Sequence, residues 1–233
     1  MKDIRAIIFD LGGTLINYEG IPLYWGDYYI NAFENVKKNL TLELSNKQIF
    51  ESIEILKKYN PRLYPREIEY ESEYIFSHVT QGWNIKANDI ADIVKNFFAF
   101  FRKNVIVYPD TLEVLQWLKG QSYKTGILTD VPTGMSEELV DMDICSFKSM
   151  IDYCISSIKC GYRKPNKSGL DMLSKLLDTK VTNMIFIGDE EKDIFTAKNA
   201  GCISILLNRN GLKKEYGQDY EISSIMEIIN ILK

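Results

Sequence analysis

Four short stretches place reactive side chains directly after apolar runs: FDLGGTL at 9–15, GILTDVP at 126–132, CGYRKPN at 160–166 and IFIGDEEKD at 185–193. They supply a carboxylate (Asp10), a hydroxyl (Thr129), a lysine (Lys164) and an acid pair (Asp189 and Asp193). Each has a bland alternative. Asp before Gly-Gly is a common turn, Thr129 fits a strand or helix cap, and Lys164 before Pro165 fits a solvated loop. Asp189 and Asp193 fit an N-cap and a first-turn acid, which the helix dipole favours. Taken together they describe one chemistry. A carboxylate attacks phosphorus and divides one displacement into two. Carboxylates and backbone oxygens make a hard-ligand site for Mg²⁺, which relieves the repulsion between phosphate and acids. A hydroxyl and an ammonium hold the other phosphoryl oxygens. Backbone N–H groups of Leu11-Gly12-Gly13 add donors, because glycine allows close approach.

These stretches converge only if parallel strands deliver them. Near-continuous apolar runs at Ile4–Phe9, Thr125–Leu128 and Met184–Ile187 read as strands buried on both faces, with weaker candidates at Ile151–Ile155 and Cys202–Leu206. Helical patterns lie between them. DTLEVLQWLKG places Leu112, Leu115 and Leu118 on a stripe ending at a C-cap Gly120. NKSGLDMLSKLLD aligns Leu170, Leu173, Leu176 and Leu177, EKDIFTAKNAG closes at Gly201, and SSIMEIINILK is a terminal amphipathic helix. The alternation predicts a Rossmann-like α/β core with a parallel sheet, whose strand carboxyl ends form the ligand crevice. The segment 16–107 breaks it. YYINAFENVKKNL, SNKQIFESIEILKKY, REIEYESEYIFSHV and NDIADIVKNFFAFFRK have helical periodicity, with N-caps at Ser45 and Asn88 and breaks at Pro61 and Pro65. The expected organisation is a core of 1–15 and 108–233 with an inserted α-helical domain at 16–107, hinged near Leu15–Gly20 and Asn104–Pro109. The insertion's many aromatic residues are expected to fill its own core.

Composition narrows the partners. The net charge of −4 gives no basic excess for nucleic acid. No apolar run reaches the roughly eighteen residues of a membrane span. Met1-Lys2-Asp3 leads straight into a strand and does not read as a signal peptide. Cys145, Cys154, Cys160 and Cys202 form no C-x-x-C pair and are expected to be reduced thiols in a cytoplasmic protein. The one histidine, His78, lies in a polar helical stretch and is expected at the surface.

The four stretches resemble the motifs of the haloacid dehalogenase (HAD) superfamily, in the branch with a helical cap inserted after the first strand. FDLGGTL is similar to the first motif, VYPDTLEVLQWLKGQSYKTGILTD to the approach to the second, GYRKPN to the third, and FIGDEEKDIFTAKNAGCISILLNRN to the fourth. The resemblance implies a hydrolase acting on a small phosphorylated molecule. It implies Asp10 as nucleophile and Mg²⁺ ligand, with Thr129 and Lys164 binding the phosphoryl group beside Gly13 and Asp130. It also implies Mg²⁺ held by Asp10, Asp189 and the carbonyl of Gly12, with Asp193 either ligating it or supporting its waters and orienting Lys164.

Gly12 departs from the pattern. HAD phosphatases usually carry a second Asp there, the general acid on the leaving oxygen and then the base for water. A carbonyl ligand survives the change to glycine; the acid and base do not. Such help is typically worth about 10² to 10⁴ in rate. Three readings follow: a phosphatase that is slow or takes an acid from its cap, with Glu19 or a cap tyrosine as candidates; a reaction needing no acid at this place; or binding of phosphate ligands or a protein partner without turnover. Phosphonate-cleaving relatives also lack the second Asp but use a cap lysine, for which Lys37, Lys38, Lys47, Lys57 and Lys58 are available. Haloacid dehalogenases proper lack it too, but need no metal, which leaves the acid pair unexplained. Asp130, where the superfamily often has Asn, adds a negative charge that must point away or join a hydrogen bond.

Overall fold

The computed structural model describes residues 3–22 and 24–233, so the expectation about Met1 and Lys2 lies outside the described residues. A six-stranded sheet forms the centre. In chain order its strands are β1 (Ala6–Phe9), β4 (Lys124–Thr129), β5 (Tyr153–Ser156), β6 (Met184–Gly188), β7 (Ile203–Leu207) and β8 (Tyr220–Ile222). The spatial order is β5-β4-β1-β6-β7-β8, and every pairing is parallel. β1 is buried throughout, and its side chains alternate between two cores. Ile7 and Phe9 join Ile127, Ile185 and Ile205 on one face, with Val114, Leu115 and Leu118 of helix α5 (Pro109–Gly120). Ala6 and Ile8 join Leu128 and Phe186 on the other, against α8 (Ser168–Leu176) and α9 (Glu191–Ala200).

The register fixes the site. Phe9, the last residue of β1, lies opposite Ile127 on one side and Ile187 on the other, and β4 runs on two residues to Thr129 and β6 one residue to Gly188. The residues just past the three strand ends, Asp10, Asp130 and Asp189, therefore gather at the same edge of the sheet.

Between β1 and β4 the chain leaves the sheet. β2 (Ile16–Tyr18) goes out and β3 (Val105–Val107) returns, paired antiparallel as a two-stranded ribbon. The linkers expected as hinges are thus a hydrogen-bonded stalk, closed by Glu19 N–H to the Asn104 carbonyl at 3.0 Å and Tyr108 N–H to the Leu15 carbonyl at 3.0 Å. Beyond it pack α1 (Tyr29–Asn39), α2 (Asn46–Lys58), α3 (Ser72–Val79) and α4 (Ile90–Phe101). Phe33, Phe76, Phe97, Phe98 and Phe101 are fully buried among them. Tyr70 and Tyr74 are instead exposed.

Several local expectations shift. Ser45 caps α2 through a reciprocal capping box with Gln48, and Gly201 ends α9 at φ +83°. Asn88 lies inside a 3₁₀ turn rather than capping α4. Gly120 stays helical, and Leu112 faces solvent because Thr111 and Val114 complete the buried stripe of α5; Leu176, at the end of α8, is also exposed. The stretch REIEY is extended. Its backbone bonds to the chain before Lys164, Arg163 N–H to the Glu67 carbonyl at 2.6 Å and Glu69 N–H to the Gly161 carbonyl at 3.0 Å. These tertiary hydrogen bonds replace the helical ladder that its periodicity suggested. The C-terminal helix is reduced to a 3₁₀ turn and the five-residue α10 (Ile228–Leu232).

Candidate active site

Asp10 continues β1 by one residue, its N–H bonded to the Ile187 carbonyl at 2.8 Å. Its carboxylate is 5% exposed and meets Lys164 Nζ at 2.7 Å. The same ammonium meets Asp193 Oδ1 at 2.5 Å. Asp193 Oδ2 accepts the Glu190 N–H at 2.9 Å and so caps the helix it belongs to. Lys164 is thus clamped between two acids, and its own N–H donates to Asp130 Oδ1 at 3.0 Å. Thr129, the last residue of β4, is buried at the same crevice. Thr14 Oγ1 donates to Asp189 Oδ1 at 3.4 Å.

Two carboxylates, Asp10 and Asp193, clasp one ammonium here, and a third, Asp189, lies beside them. Oxygens of Asp10, Asp189 and Asp193 lie within 4.8 Å of one another. Burial pushes the Asp10 carboxyl up to about 7; Asp193 and Asp189 add to the rise and Lys164 opposes it. Burial, with Asp193 and Glu190 beside it, pushes Asp189 up to about 6. Burial alone would push Lys164 down, but Asp10 and Asp193 overcome it and raise its pKa. This is an excess of buried negative charge, and a divalent cation with oxygen ligands fits it. The backbone agrees. The turn bonds Ile16 N–H to the Leu11 carbonyl and Gly13 N–H to the Ile16 carbonyl, leaving the Gly12 carbonyl without a partner among the described residues. Protons and metal compete for the same oxygens. Mg²⁺ affinity is therefore expected to fall as pH drops below about 7, by up to about tenfold per unit for each carboxyl that must ionise. Calorimetric titration between about pH 8 and about pH 5.5 checks this.

The two glycines differ. Gly13 has φ +80°, and a Cβ there would meet the Asp189 carboxylate carbon at 2.8 Å. Gly13→Ala is expected to be strained and to displace Asp189, lowering stability by about 1–3 kcal/mol and weakening Mg²⁺ binding; thermal melts with and without Mg²⁺ read both. Gly12 has no such constraint. A Cβ there would find its nearest neighbour, Tyr18 Cε2, at 3.9 Å. Neither backbone nor space requires glycine at this position.

A cavity of about 930 Å³ opens between this cluster and the helices of the insertion. Asp10, Gly12, Gly13, Thr129, Asp130, Lys164 and Asp189 line it from the sheet side, and Tyr18, Tyr24, Trp25, Asn60, Arg62 and Arg66 from the other. Asp130 lines it but is already paired. Besides the Lys164 N–H, it faces Lys192 at 3.3 Å and Arg163 at 3.8 Å. Burial would raise its pKa, yet these cations hold it at about 2. Its charge thus joins an ion-pair and hydrogen-bond network, the condition its sequence position set. Glu19 is exposed, bonded to Asn104, and does not line the cavity. His78 does not either; its ring accompanies Tyr74.

A family model described as haloacid dehalogenase-like hydrolase matches residues 4–201. The chain belongs to this family. A phosphoglycolate phosphatase of Vibrio parahaemolyticus is 24% identical, over 99% of this chain and 97% of its own length. A pyrophosphatase PpaX of Bacillus mycoides is 23% identical, over 98% and 97%. In fold, a HAD phosphatase from Thermococcus onnurineus superposes with a TM-score of 0.68 at 19% identity, covering 98% of each chain.

This HAD-like chain also brings to the cavity residues that its motifs did not single out. Arg62 bridges to Glu190 at 2.5 Å, from insertion to core. Lys192 sits between Asp130 and Glu190, the latter at 2.9 Å. Glu69 pairs with Arg66 at 3.0 Å and with Arg163, tying the extended strap to the Lys164 loop. Tyr18 donates to Asp143 at 2.6 Å, and Arg102 holds the other Asp143 oxygen at 2.8 Å. Burial and the adjacent Asp143 push the Tyr18 phenol well above its ordinary pKa. Lys192, in the KD pair before Asp193, had a local signal in the fourth motif. Arg62 and Tyr18 had none, because nothing in their neighbourhoods marks the face they present.

Proposed function

We propose that this protein is a Mg²⁺-dependent phosphatase of a small phosphorylated molecule, acting through an aspartyl-phosphate on Asp10. In this proposal, residues 1–15 and 108–233 are the catalytic core and residues 16–107 the cap. The observation that carries it is the Asp10 carboxylate, buried at a strand end and bonded to Lys164, within one cluster with Asp189 and Asp193. The names of the relatives, a phosphoglycolate phosphatase and a pyrophosphatase, support phosphoryl chemistry.

The chain's own residues divide the work. Asp10 attacks phosphorus with one carboxylate oxygen while the bond to the leaving oxygen breaks. Lys164 and Thr129 hold phosphoryl oxygens and balance their charge. Asp193 keeps Lys164 aimed and charged. Asp10, Asp189, Asp193 and the Gly12 carbonyl would hold Mg²⁺, which supplies positive charge against the developing negative charge of the transferred group. The cap covers the crevice and limits water during transfer. Water then cleaves the aspartyl-phosphate and restores the Asp10 carboxylate.

A lysine-based phosphonate reaction has less support. Among the described residues, the lysines lining the cavity are Lys164, Lys192 and Lys214, and Lys37, Lys38, Lys47, Lys57 and Lys58 are not among them. Ligand binding without turnover has Gly12 in its favour. Phosphate release from acetyl phosphate, phenyl phosphate and sugar phosphates, with and without Mg²⁺, decides between binding and turnover. Release that requires Mg²⁺ and disappears in Asp10→Asn supports the phosphatase. A folded, Mg²⁺-binding protein inert on all of them refutes it.

A further inference from the structure

We infer that the phosphate group this protein removes is carried on an aromatic hydroxyl, an inference that rests on the phosphatase reading above. Two features point to it: what the site lacks beside Gly12, and what lines that side of the cavity.

The site lacks a free carboxyl group. A side chain at position 12 would enter beside the Tyr18 ring, 3.9 Å from a Cβ. Tyr18 has one proton to give, and it is directed to Asp143 at 2.6 Å. Asp143 is in turn fixed by Arg102 at 2.8 Å and 2.7 Å, with its side chain fully buried. The other carboxyl groups lining the cavity outside the acid cluster are also engaged or remote. Asp130 faces Lys192 and the Lys164 N–H. Glu67 accepts from Asn166 at 2.9 Å. Glu190 pairs with Arg62 and Lys192. Glu191 is exposed at the start of α9. With no free carboxyl group beside Gly12, the site is best served by a leaving oxygen that departs as an anion.

The wall is aromatic. Trp25 stands edge-on to Tyr18 at 5.0 Å and stacks on Phe101 at 4.5 Å, which fixes its plane. Ile21 and Phe98 extend this surface from the insertion, Met135 and Val140 from the core. A planar, apolar group matches it, and aromatic pairing adds to area burial. A sugar hydroxyl turned to these apolar residues would lose its hydrogen-bond partners, which is unfavourable.

An aryl phosphate satisfies both features. The Asp10 oxygen forms its bond to phosphorus as the bond from phosphorus to the aryl oxygen breaks. The electron pair leaves on the aryl oxygen, where the ring delocalises it, and solvent protonates the aryloxide after release. No proton is needed from the enzyme in this step.

The test is kcat/KM with Mg²⁺ across substituted phenyl phosphates, ethyl phosphate, acetyl phosphate and pyrophosphate, each run on wild type, Asp10→Asn and Gly12→Asp. The expected result has three parts. Wild-type kcat/KM climbs steeply as the leaving phenol becomes more acidic, with ethyl phosphate at least about 10²-fold below phenyl phosphate. Gly12→Asp closes that gap by about 10² to 10⁴. KM is lower for phenyl phosphate than for acetyl phosphate or pyrophosphate. Ethyl phosphate cleaved within about tenfold of phenyl phosphate overturns the inference, as does a KM for acetyl phosphate or pyrophosphate at or below that for phenyl phosphate. In both cases the Asp10-dependent phosphatase still stands. Absence of Asp10-dependent release from every substrate instead removes the phosphatase reading, and the inference with it.

Discussion

Asp10→Asn is expected to lower phosphate release by about 10⁴-fold or more while raising the melting temperature of the metal-free protein. Both effects come from one carboxylate. Asparagine keeps the shape but has no anionic oxygen to attack phosphorus, and loss of a covalent nucleophile is among the largest single losses an enzyme shows. The stability gain follows from linkage. In the folded chain the Asp10 carboxyl is raised from 3.8 to about 7, chiefly by burial. Between those values the folded state binds more protons than the unfolded state, so stability falls as pH rises. Above about pH 7 the whole penalty is present, and the asparagine substitution removes it. Lys164 keeps Asp193 at 2.5 Å as its counter-charge. For a chain of this size about 1 kcal/mol shifts the midpoint by roughly 2–4 °C. Melts in a chelator should show the variant several degrees higher at about pH 8 and equal to wild type at about pH 4. A variant that is no more stable at high pH would mean that Asp10 is not strained, and retained turnover would place the nucleophile elsewhere.

Wild type is also expected to show a burst, and Gly12→Asp to abolish it. Aryl phosphates need no proton in the first step, so one equivalent of phenol is released quickly. The second step needs a base for water, and Gly12 offers none. Phosphate should therefore accumulate on Asp10, visible in the intact mass of acid-quenched protein. Gly12→Asp restores a carboxylate near the phosphoryl group, and kcat should rise about 10²- to 10⁴-fold. The backbone accepts the substitution, since the φ of Gly12 is not positive and the nearest atom to a Cβ is 3.9 Å away. A linear time course in wild type, with no phosphoprotein on quenching, would show that another group already activates the water.

Metal binding ties the two experiments together. Under the proposed function, Mg²⁺ would neutralise the same charge excess that raises the Asp10 pKa, so the stability difference between Asp10→Asn and wild type should shrink when Mg²⁺ is added. On that proposal the acid cluster is a place where function would hold the metal-free fold below its attainable stability.

Much of this was legible in one dimension. The apolar runs ending in Asp10, Thr129 and Asp189 announced strands buried on both faces. A parallel sheet runs all its strands in one direction, so their carboxyl ends and the residues that follow gather at one edge. The capping pattern at Ser45 and the left-handed glycine at Gly201 are also local, decided by a few dihedrals and one or two hydrogen bonds. The identity of Gly12 is a sequence fact, and so is the missing acid.

Tertiary structure decided the rest. REIEY had helical periodicity, but its backbone found partners on the chain before Lys164, and long-range hydrogen bonds outweigh a propensity worth tenths of a kcal/mol per residue. The stalk of β2 and β3 joins residues far apart in sequence through strands of three residues each, too short to carry a pattern. Whether Asp130 repels a phosphate or locks into Lys192, Arg163 and the Lys164 N–H depended on which cations the fold brought near. The same holds for Tyr18. Its type and position were always visible, but only the packing of the insertion turns its ring toward Gly12 and its proton toward Asp143. Sequence thus determined which groups are available for chemistry, because that is a matter of residue type at strand ends. The fold decided which of them are already paired and which face the ligand, because pairing is set by distances between segments that sequence order does not contain.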